Sequence, residues 1–309
     1  MFEELFNKGG LSLDRLRNFL EMAEAGSIAK AAPQDLTRQS LISRQIKELE
    51  EFFGSELTVR RGKTLSLSPA GQRLASLVRG HLQGLADFQS EQAQQSKIFT
   101  LGSGSSTLEW LITSRLPRIA ELLDGAILRT DLLRSRALVE GIADGTIDLA
   151  ILRKDAIPEA NRHNCLPICR LSFHLCVPRR LLKPGTTEAM LARPQTWQAL
   201  PFAAGRDNSQ TDKAIREAMT RAEVDFRPQF ECSSMLQVQQ LVREGHCAAV
   251  LPNLALGCLN PTDFVIFPFA PLATYGRQLV LHWNSRQMQR RGIEKNQLRA
   301  IAADFGSVG

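Results

Sequence analysis

The sequence predicts a multidomain protein in which a small helical unit with a two-stranded hairpin, a long helix and an α/β unit follow one another. Three observations support this order. Apolar residues recur at helical spacing up to Phe53, two short β-rich runs flank a basic turn before residue 68, and strands alternate with helices after Ser96. The 309 residues also exceed the length of one ordinary domain.

Composition favours a folded protein away from the membrane. Hydrophobic residues make up 43% of the chain and charged residues 23%, which is an ordinary globular balance. The first ten residues carry acids where a signal peptide needs a basic segment, and no run reaches about 18 apolar residues. We therefore expect a cytoplasmic protein with no membrane partner. The net charge of +6 favours a polyanionic partner only modestly.

No pattern of a metal, a cofactor or a catalytic site is found. The cysteines form no Cys-x-x-Cys pair, so we expect reduced, buried thiols, although a redox switch between two of them stays open. The run GSGSST lacks the lysine and spacing of a phosphate loop. We expect no cofactor and no metal. The cysteines are Cys165, Cys169, Cys176, Cys232, Cys247 and Cys258.

Three helices are predicted in the first 54 residues. Apolar spacing predicts the first over residues 13–25 and a short second one over 27–34. A polar turn over 35–38 then precedes a third helix over 39–53, which Gly54 ends.

A hairpin and a long helix follow. Residues 57–59 and 65–67 are predicted as strands around a basic turn, which makes the hairpin a wing. Residues 69–95 are predicted as one helix whose apolar stripe requires a partner helix. The stripe consists of Leu74, Leu77, Val78, Leu82, Leu85 and Phe88.

Basic and polar side chains concentrate on the third helix and the wing. A helix in the major groove contacts base edges with its N-terminal residues, while basic side chains beside it contact phosphates. The alternative is a solvated helix face with incidental charge. The predicted DNA-binding residues are Arg38, Gln39, Ser40, Ser43, Arg44, Lys47, Arg60 and Lys63.

Three runs of this region together resemble the LysR-type transcriptional regulators: LDRLRNFLEMAEAGSIAKAA, RQSLISRQIKELEEFFGSEL and VRRGKTLSLSPAG. The resemblance continues more weakly through GTIDLAIL and LVREGHCAAVLP. It implies that base and phosphate contacts fall on residues 39, 40, 43, 44, 60 and 63. The chain departs from the family pattern at Asp35, Leu36 and Arg38, and Thr58 stands where the family has a wing phenylalanine.

The resemblance also implies the domain organisation and the partners. We expect a winged helix-turn-helix domain over 11–69, a linker and dimerisation helix over 70–96, and an effector-binding domain over 97–309. The last domain resembles type 2 periplasmic binding proteins, whose two lobes close on a ligand. Lobe one is expected over 97–170 and 271–309, and lobe two over 171–270. The implied partners are double-stranded promoter DNA, a small-molecule effector and further copies of the chain, as a homodimer or homotetramer.

Polar residues at strand ends predict where the effector binds. Ligands of open α/β sheets bind at the carboxyl ends of the strands, and free amides at helix starts attract anions. A small anionic metabolite, for example a carboxylate, suits such a site. The alternatives are that the hydroxyls cap helices and that the arginine is a solvated loop charge. The predicted effector-binding residues are Ser103, Ser105, Ser106, Thr107, Arg134, Ser135, Asn208 and Ser209.

Three rival functions were compared with this interpretation. An enzyme is disfavoured because the sequence has no Gly-x-Ser-x-Gly elbow and no His-x-x-x-His pair, and His174 with Cys176 fits a core strand. The DNA-binding half argues against a solute-binding protein. A ligand-independent regulator with an unused cleft stays open. The resemblance of the effector domain to the family is loose, with extra residues between Ser106 and Pro117 and fewer around Arg134.

Overall fold

The computed structural model describes residues 3–61, 64–206 and 210–306. A winged helix-turn-helix unit is followed by a long helix, as predicted. The helices of this part are α1 Glu3–Asn7, α2 Leu13–Ala25, α3 Ile28–Ala31, α4 Leu36–Phe53 and α5 Pro69–Gln92, and the wing strands are β1 Thr58–Arg61 and β2 Thr64–Leu67.

Side-chain caps determine where the helices of the winged unit begin. The hydroxyl oxygens of Ser12 and Ser27 each accept a hydrogen bond from a backbone N–H three residues later. The carboxylate of Asp35 accepts one from the N–H of Arg38 at 2.9 Å. Helix α4 therefore begins at Leu36, and the polar turn predicted at this place is wrong.

The core of the winged unit lies between α2, α4 and the start of α5. Phe19 and Ile42 are fully buried there. The apolar face of α4 is narrower than its sequence pattern indicates, because Leu41 and Phe53 are 37% and 39% exposed.

The predicted apolar stripe of α5 divides into two. One half packs into the core of the winged unit and consists of Leu74, Val78 and Leu82. The other half is exposed and consists of Leu77, Leu85 and Phe88, at 49%, 57% and 59%. One side of α5 therefore packs against the winged unit, and the other side exposes an apolar strip to solvent.

The remaining strands form two lobes. Lobe one contains a five-stranded sheet in the order β4-β3-β5-β12-β6, and lobe two contains a three-stranded sheet in the order β10-β7-β11 and the pair β8-β9. The strands are β3 Ile98–Ser103, β4 Ile127–Leu132, β5 Leu149–Arg153, β6 Cys165–Leu171, β7 Phe173–Pro178, β8 Ala203–Gly205, β9 Phe230–Cys232, β10 Ala249–Pro252, β11 Phe264–Pro268 and β12 Arg277–Trp283.

Helices cover both sheets. In lobe one these are α6 Ser105–Thr107, α7 Leu116–Leu122, α8 Ser135–Asp144, α12 Ser285–Arg290 and α13 Lys295–Gly306, with a π-helical turn Leu108–Ile112 and a 3₁₀ turn Thr113–Arg115 between α6 and α7. Lobe two has α9 Glu188–Leu191, α10 Gln210–Arg221 and α11 Met235–Arg243. Further 3₁₀ turns are Lys154–Ala156, Glu159–Asn164, Arg179–Leu181, Pro194–Ala199, Asn253–Cys258 and Ala270–Tyr275.

Alternating strands and helices favour a mainly parallel sheet, but the five-stranded sheet is mixed and the three-stranded sheet is antiparallel. Strand β3 is parallel to β4 and β5, but β12 is antiparallel to β5 and β6, and β7 is antiparallel to β10 and β11. The cause is that the chain passes from lobe one to lobe two after β6 and returns after β11. The returning strand β12 enters the first sheet in the opposite direction.

Helix α5 is attached to lobe one by a buried ionic network. The guanidinium of Arg291 donates two hydrogen bonds to the carboxylate of Asp87, at 2.8 and 3.0 Å, and lies 2.7 Å from a carboxylate oxygen of Asp148. All three side chains are less than a tenth exposed. The guanidinium also lies over the ring of Phe99, 3.8 Å from its centroid. Burial raises the pKa of the Asp148 carboxyl.

We predict that Asp87→Ala lowers the free energy of unfolding by about 3 kcal/mol, because it removes the acceptor of two hydrogen bonds from the buried Arg291 guanidinium, although Asp148 still balances its charge. Urea unfolding followed by circular dichroism measures the change. The control is Glu91→Ala, one turn later on α5, where the ion pair with Lys97 is half exposed. That control should cost no more than about 1 kcal/mol. Equal losses for the two variants would contradict the structural role of Asp87.

Candidate nucleic-acid interface and effector cleft

The outer face of α4 presents polar and basic side chains to solvent. Ser40, Arg44 and Lys47 are exposed, and Ser43 between them is partly exposed. Their spacing places them on one side of the helix, opposite the buried Ile46. The face is therefore open to a partner along at least two turns.

The two residues at the start of this face are held by neighbours. The Nε2 group of Gln39 donates to the backbone oxygen of Ala32 at 2.8 Å, which connects α4 to the end of α3. The guanidinium of Arg38 is 2.5 Å from the carboxylate of Glu21 on α2. Both side chains thus have partners within the protein.

The carboxylate of Glu48 orients two arginines from the inner edge of the face. It accepts a hydrogen bond from Arg15 at 2.5 Å and lies 3.6 Å from Arg44. The side chain of Arg44 is still 71% exposed. Arg44 is therefore positioned by Glu48 without being covered by it.

The wing is attached to α4 by Glu50. One carboxylate oxygen of Glu50 accepts hydrogen bonds from the N–H of Leu57 at 2.8 Å and from the N–H and hydroxyl of Thr58 at 3.0 Å. Thr58 replaces the aromatic residue of the family pattern, so a polar contact positions the wing here. Arg60 is exposed on β1. Lys63 lies outside the described residues.

At lobe one, the ends of β3, β4 and β5 meet at one edge. Ser103 pairs with Leu132 and with Ile151 in the two parallel ladders. The Ser103 side chain is fully buried, and its hydroxyl donates to the backbone oxygen of Ile151 at 2.8 Å. Ser103 is one of the predicted effector residues, but its side chain lies inside the lobe, where it connects β3 to β5.

Residues after β3 and β4 lie side by side at that edge. Helix α6 begins at Ser105, which is exposed, whereas Ser106 and Thr107 are partly exposed. Helix α8 begins at Ser135 after the exposed Arg134. Within the described residues, no side chain caps either helix start. The cap interpretation of these hydroxyls is therefore not observed at either start.

The lobe-two part of the predicted site falls outside the described residues. Asn208 and Ser209 belong to the stretch 207–209, and α10 begins directly after it at Gln210. A cavity of about 300 Å³ in lobe two is lined by Trp197, Phe202 and Arg227 among others, and by none of the described residues predicted to bind the effector.

A cationic group at the same edge of lobe one was missed by the sequence interpretation. Arg153 ends β5 and Arg277 begins β12, and both guanidiniums contact one carboxylate oxygen of Asp155, that of Arg153 at 3.5 Å. The ring of Tyr275 lies 4.4 Å from the Arg277 guanidinium. Two cations sharing one carboxylate leave this edge positively charged. The signal in the sequence is an arginine at the end of a buried strand.

The cysteines of the lobes differ in exposure: Cys176 and Cys247 are buried, but Cys258 is exposed, so the expectation that the thiols are all buried is wrong. Burial lowers the pKa of His174, and it raises the pKa of Cys176 to about 12 and that of Cys247 to about 12. Thiols with such pKa values stay protonated and weakly nucleophilic at neutral pH. No group of three or more potential metal ligands occurs in the part of the chain that the structure describes.

A winged helix-turn-helix joined through a docked helix to a two-lobed domain defines a DNA-binding regulator with an effector-binding domain. The family model for bacterial regulatory helix-turn-helix proteins of the lysR family matches residues 13–72, and that of the LysR substrate binding domain matches residues 92–295. The chain belongs to the LysR family of transcriptional regulators.

The chain is similar in sequence to other regulators and similar in fold to solved structures. The chain is 25% identical over 256 residues to a probable nitrogen assimilation transcriptional activator of Synechococcus elongatus, with 80% of each chain covered. Full-length LysG of Corynebacterium glutamicum with bound effector Arg shares the fold at a TM-score of 0.59 and 16% identity, covering 95% of this chain and 99% of that one. Full-length CbnR in complex with its target DNA shares it at a TM-score of 0.52 and 17% identity, covering 94% and 99%.

The length and hydropathy of the helices bear on whether any of them could span a membrane. Across residues 3–61, 64–206 and 210–306, none of them is both long enough and apolar enough to cross a bilayer.

Proposed function

We propose that this regulator reads promoter DNA with α4 and the wing, and responds to a small anionic metabolite bound between its two lobes. The proposal depends on two features that occur in the same chain. The winged unit has an exposed basic and polar helix face, and lobe one has a cationic edge where two helices begin without side-chain caps. The proposed division is 11–69 for DNA binding, 70–96 for dimerisation and 97–309 for sensing.

The proposed DNA contacts follow from exposure and chemistry. Ser40, Ser43 and Arg44 on α4 offer groups that bond to base edges, and Lys47 and Arg60 beside them offer charges to phosphates. When the protein binds a duplex, Arg38 and Gln39 exchange their contacts with Glu21 and Ala32 for contacts with DNA. Lys63 is included because of the family pattern. In the relative CbnR, a complex with target DNA supports this mode of action.

The proposed assembly is a homodimer or homotetramer formed first through α5. Its strip of Leu77, Leu85 and Phe88 is exposed in the single chain, although α5 is otherwise attached to the winged unit and to lobe one. Burying such a strip against a second copy removes apolar surface from water. Two copies then present two wings and two α4 helices to one duplex.

The proposed effector is an anion because of the charges and amides at the edge of lobe one. Backbone amides at the starts of α6 and α8 have no side-chain acceptor, Arg134 is exposed beside them, and the Arg153–Asp155–Arg277 group adds positive charge. A carboxylate bonds to both amides and guanidinium groups. Asn208 and Ser209 are proposed to complete the site from lobe two. The relative LysG, with its bound effector Arg, supports a small-molecule ligand.

We predict that Arg44→Ala weakens binding to a duplex selected from a random library by about 1–3 kcal/mol and relaxes base preference, because Arg44 contacts a base. Arg60→Ala should weaken binding to every sequence and reduce the salt slope by about 1, because it contacts a phosphate. Fluorescence anisotropy titrations at several salt concentrations separate the two effects. Arg118→Ala, an exposed arginine of α7 in lobe one, is the control and should change neither. Equal losses on all duplexes for Arg44→Ala would show that it contacts a phosphate instead.

We predict that a carboxylic acid raises the melting temperature of the full chain, and that Ser106→Ala and Arg134→Ala each reduce that rise, because both groups bind the carboxylate. A thermal-shift screen of small acids finds the hit, and titration gives its affinity for each variant. The control is Arg136→Ala on α8, since its side chain is 91% exposed and paired with Glu140. A hit that is unaffected by both substitutions would place the effector elsewhere. A screen in which no small molecule stabilises the chain would favour the alternative, a regulator that acts without a ligand.

A further inference from the structure

A π-helical turn, Leu108–Ile112, follows the start of α6 directly. The N–H of Thr113 bonds to the oxygen of Leu108, five residues earlier, and Leu111 and Ile112 are buried in the lobe-one core. A π turn contains one residue more than an α turn, and single π turns occur often at functional sites.

The side chain of Trp110 leaves this turn towards lobe two. It packs against the apolar cluster of lobe two, and its Nε1 donates a hydrogen bond to Oε1 of Gln239 on α11 at 3.0 Å. Gln239 is only 8% exposed, and its Nε2 donates to the oxygen of Ala255 at 2.7 Å. Because the amide nitrogen of Gln239 is fixed by Ala255, its oxygen is directed at the indole.

A reciprocal contact comes from the turn Asn253–Cys258 of lobe two. Leu254 in this turn packs against the core of lobe one. Asn253 accepts a hydrogen bond from the N–H of Ser172 and donates one to the oxygen of Arg170, at 3.1 and 3.2 Å. Residues 170–172 connect lobe one to lobe two. The turn Asn253–Cys258 therefore contacts both this connection, through Asn253, and the core of lobe one, through Leu254.

We propose that the hydrogen bond between Trp110 and Gln239 is a latch that keeps the two lobes together, with Trp110 as a positioning residue of the cleft. The proposal extends the proposed function, since it takes the cleft between the lobes as the effector site. Opening the lobes separates the buried oxygen of Gln239 from its donor and pulls Leu254 out of an apolar core, and both changes cost free energy. Trp110 is also three residues from Thr107, so an effector bound at the start of α6 acts on the same short element.

The latch is tested in the full chain without DNA or effector. Trp110 is one of three tryptophans, and the other two, Trp197 and Trp283, are 2% and 6% exposed. Gln239→Leu keeps the side-chain volume and removes both the acceptor for Trp110 and the donor to Ala255, which should raise the open population about fivefold. The expected result is stronger acrylamide quenching of tryptophan fluorescence and a red-shifted emission.

Two controls make the result specific. Gln240→Leu changes the next residue of α11, which is exposed and paired with Glu244, and should leave quenching unchanged. Adding Trp110→Phe to Gln239→Leu should abolish the increase in quenching. Unchanged quenching in Gln239→Leu, or an equal increase in Gln240→Leu, overturns the latch.

A second measurement covers the case in which Gln239→Leu does not fold. Trp110→Phe retains an aromatic ring but removes the indole N–H donor, so small-angle scattering should show a larger radius of gyration than for the unchanged chain. An identical radius of gyration overturns the proposal. Neither measurement involves DNA or a carboxylate, so failure of the latch leaves the proposed function standing, and failure of the effector screen leaves the latch standing.

Discussion

Arg291 lies between Asp87 of the long helix and Asp148 of lobe one, and this contact determines how the two halves of the chain are joined. A buried guanidinium with two carboxylates carries a large desolvation penalty, and such groups contribute more to a defined geometry than to net stability. Here the geometry is closely specified: the guanidinium also bonds to the oxygen of Ile98 at 2.6 Å, and Gln287 donates to Asp148 at 2.6 Å. Few other orientations of α5 satisfy all of these groups at once.

With α5 held in this way, the winged unit and lobe one share a continuous set of contacts. Arg79 of α5 donates to the oxygen of Asp144 at 2.6 Å and lies 3.4 Å from the carboxylate of Glu24 at the end of α2. Asp144 is the last residue of α8, and Arg134 precedes the first. One helix of lobe one therefore reaches from the proposed effector edge to the helix that carries the DNA-binding unit.

The elements that the sequence predicts well are those whose signals are local. Periodicity and caps indicate α2, α4 and the wing. Helix α4 differs from its prediction in two respects: Asp35 caps it earlier than its apolar pattern begins, and its apolar face is narrower. The site on α4 is predictable for the same reason, since outward positions alternate with buried ones along one helix. Even Ser103 is understandable, because strand alternation places it on the same face as the buried Phe99 and Leu101.

Features that depend on distant partners were not predictable. From the sequence alone, Asp87 would be interpreted as a solvated charge on a polar helix, because its partner Arg291 lies 204 residues away. Trp110 and Gln239 give no sequence signal either, because their contact is set by the approach of two lobes.

The central claim is that α5 belongs to the same cooperative unit as lobe one. Native-state hydrogen exchange on the full chain tests it most directly: amides of residues 80–90 should exchange with the same opening free energy as those of β3 and β5, and exchange of that stretch at a much lower free energy would contradict the account.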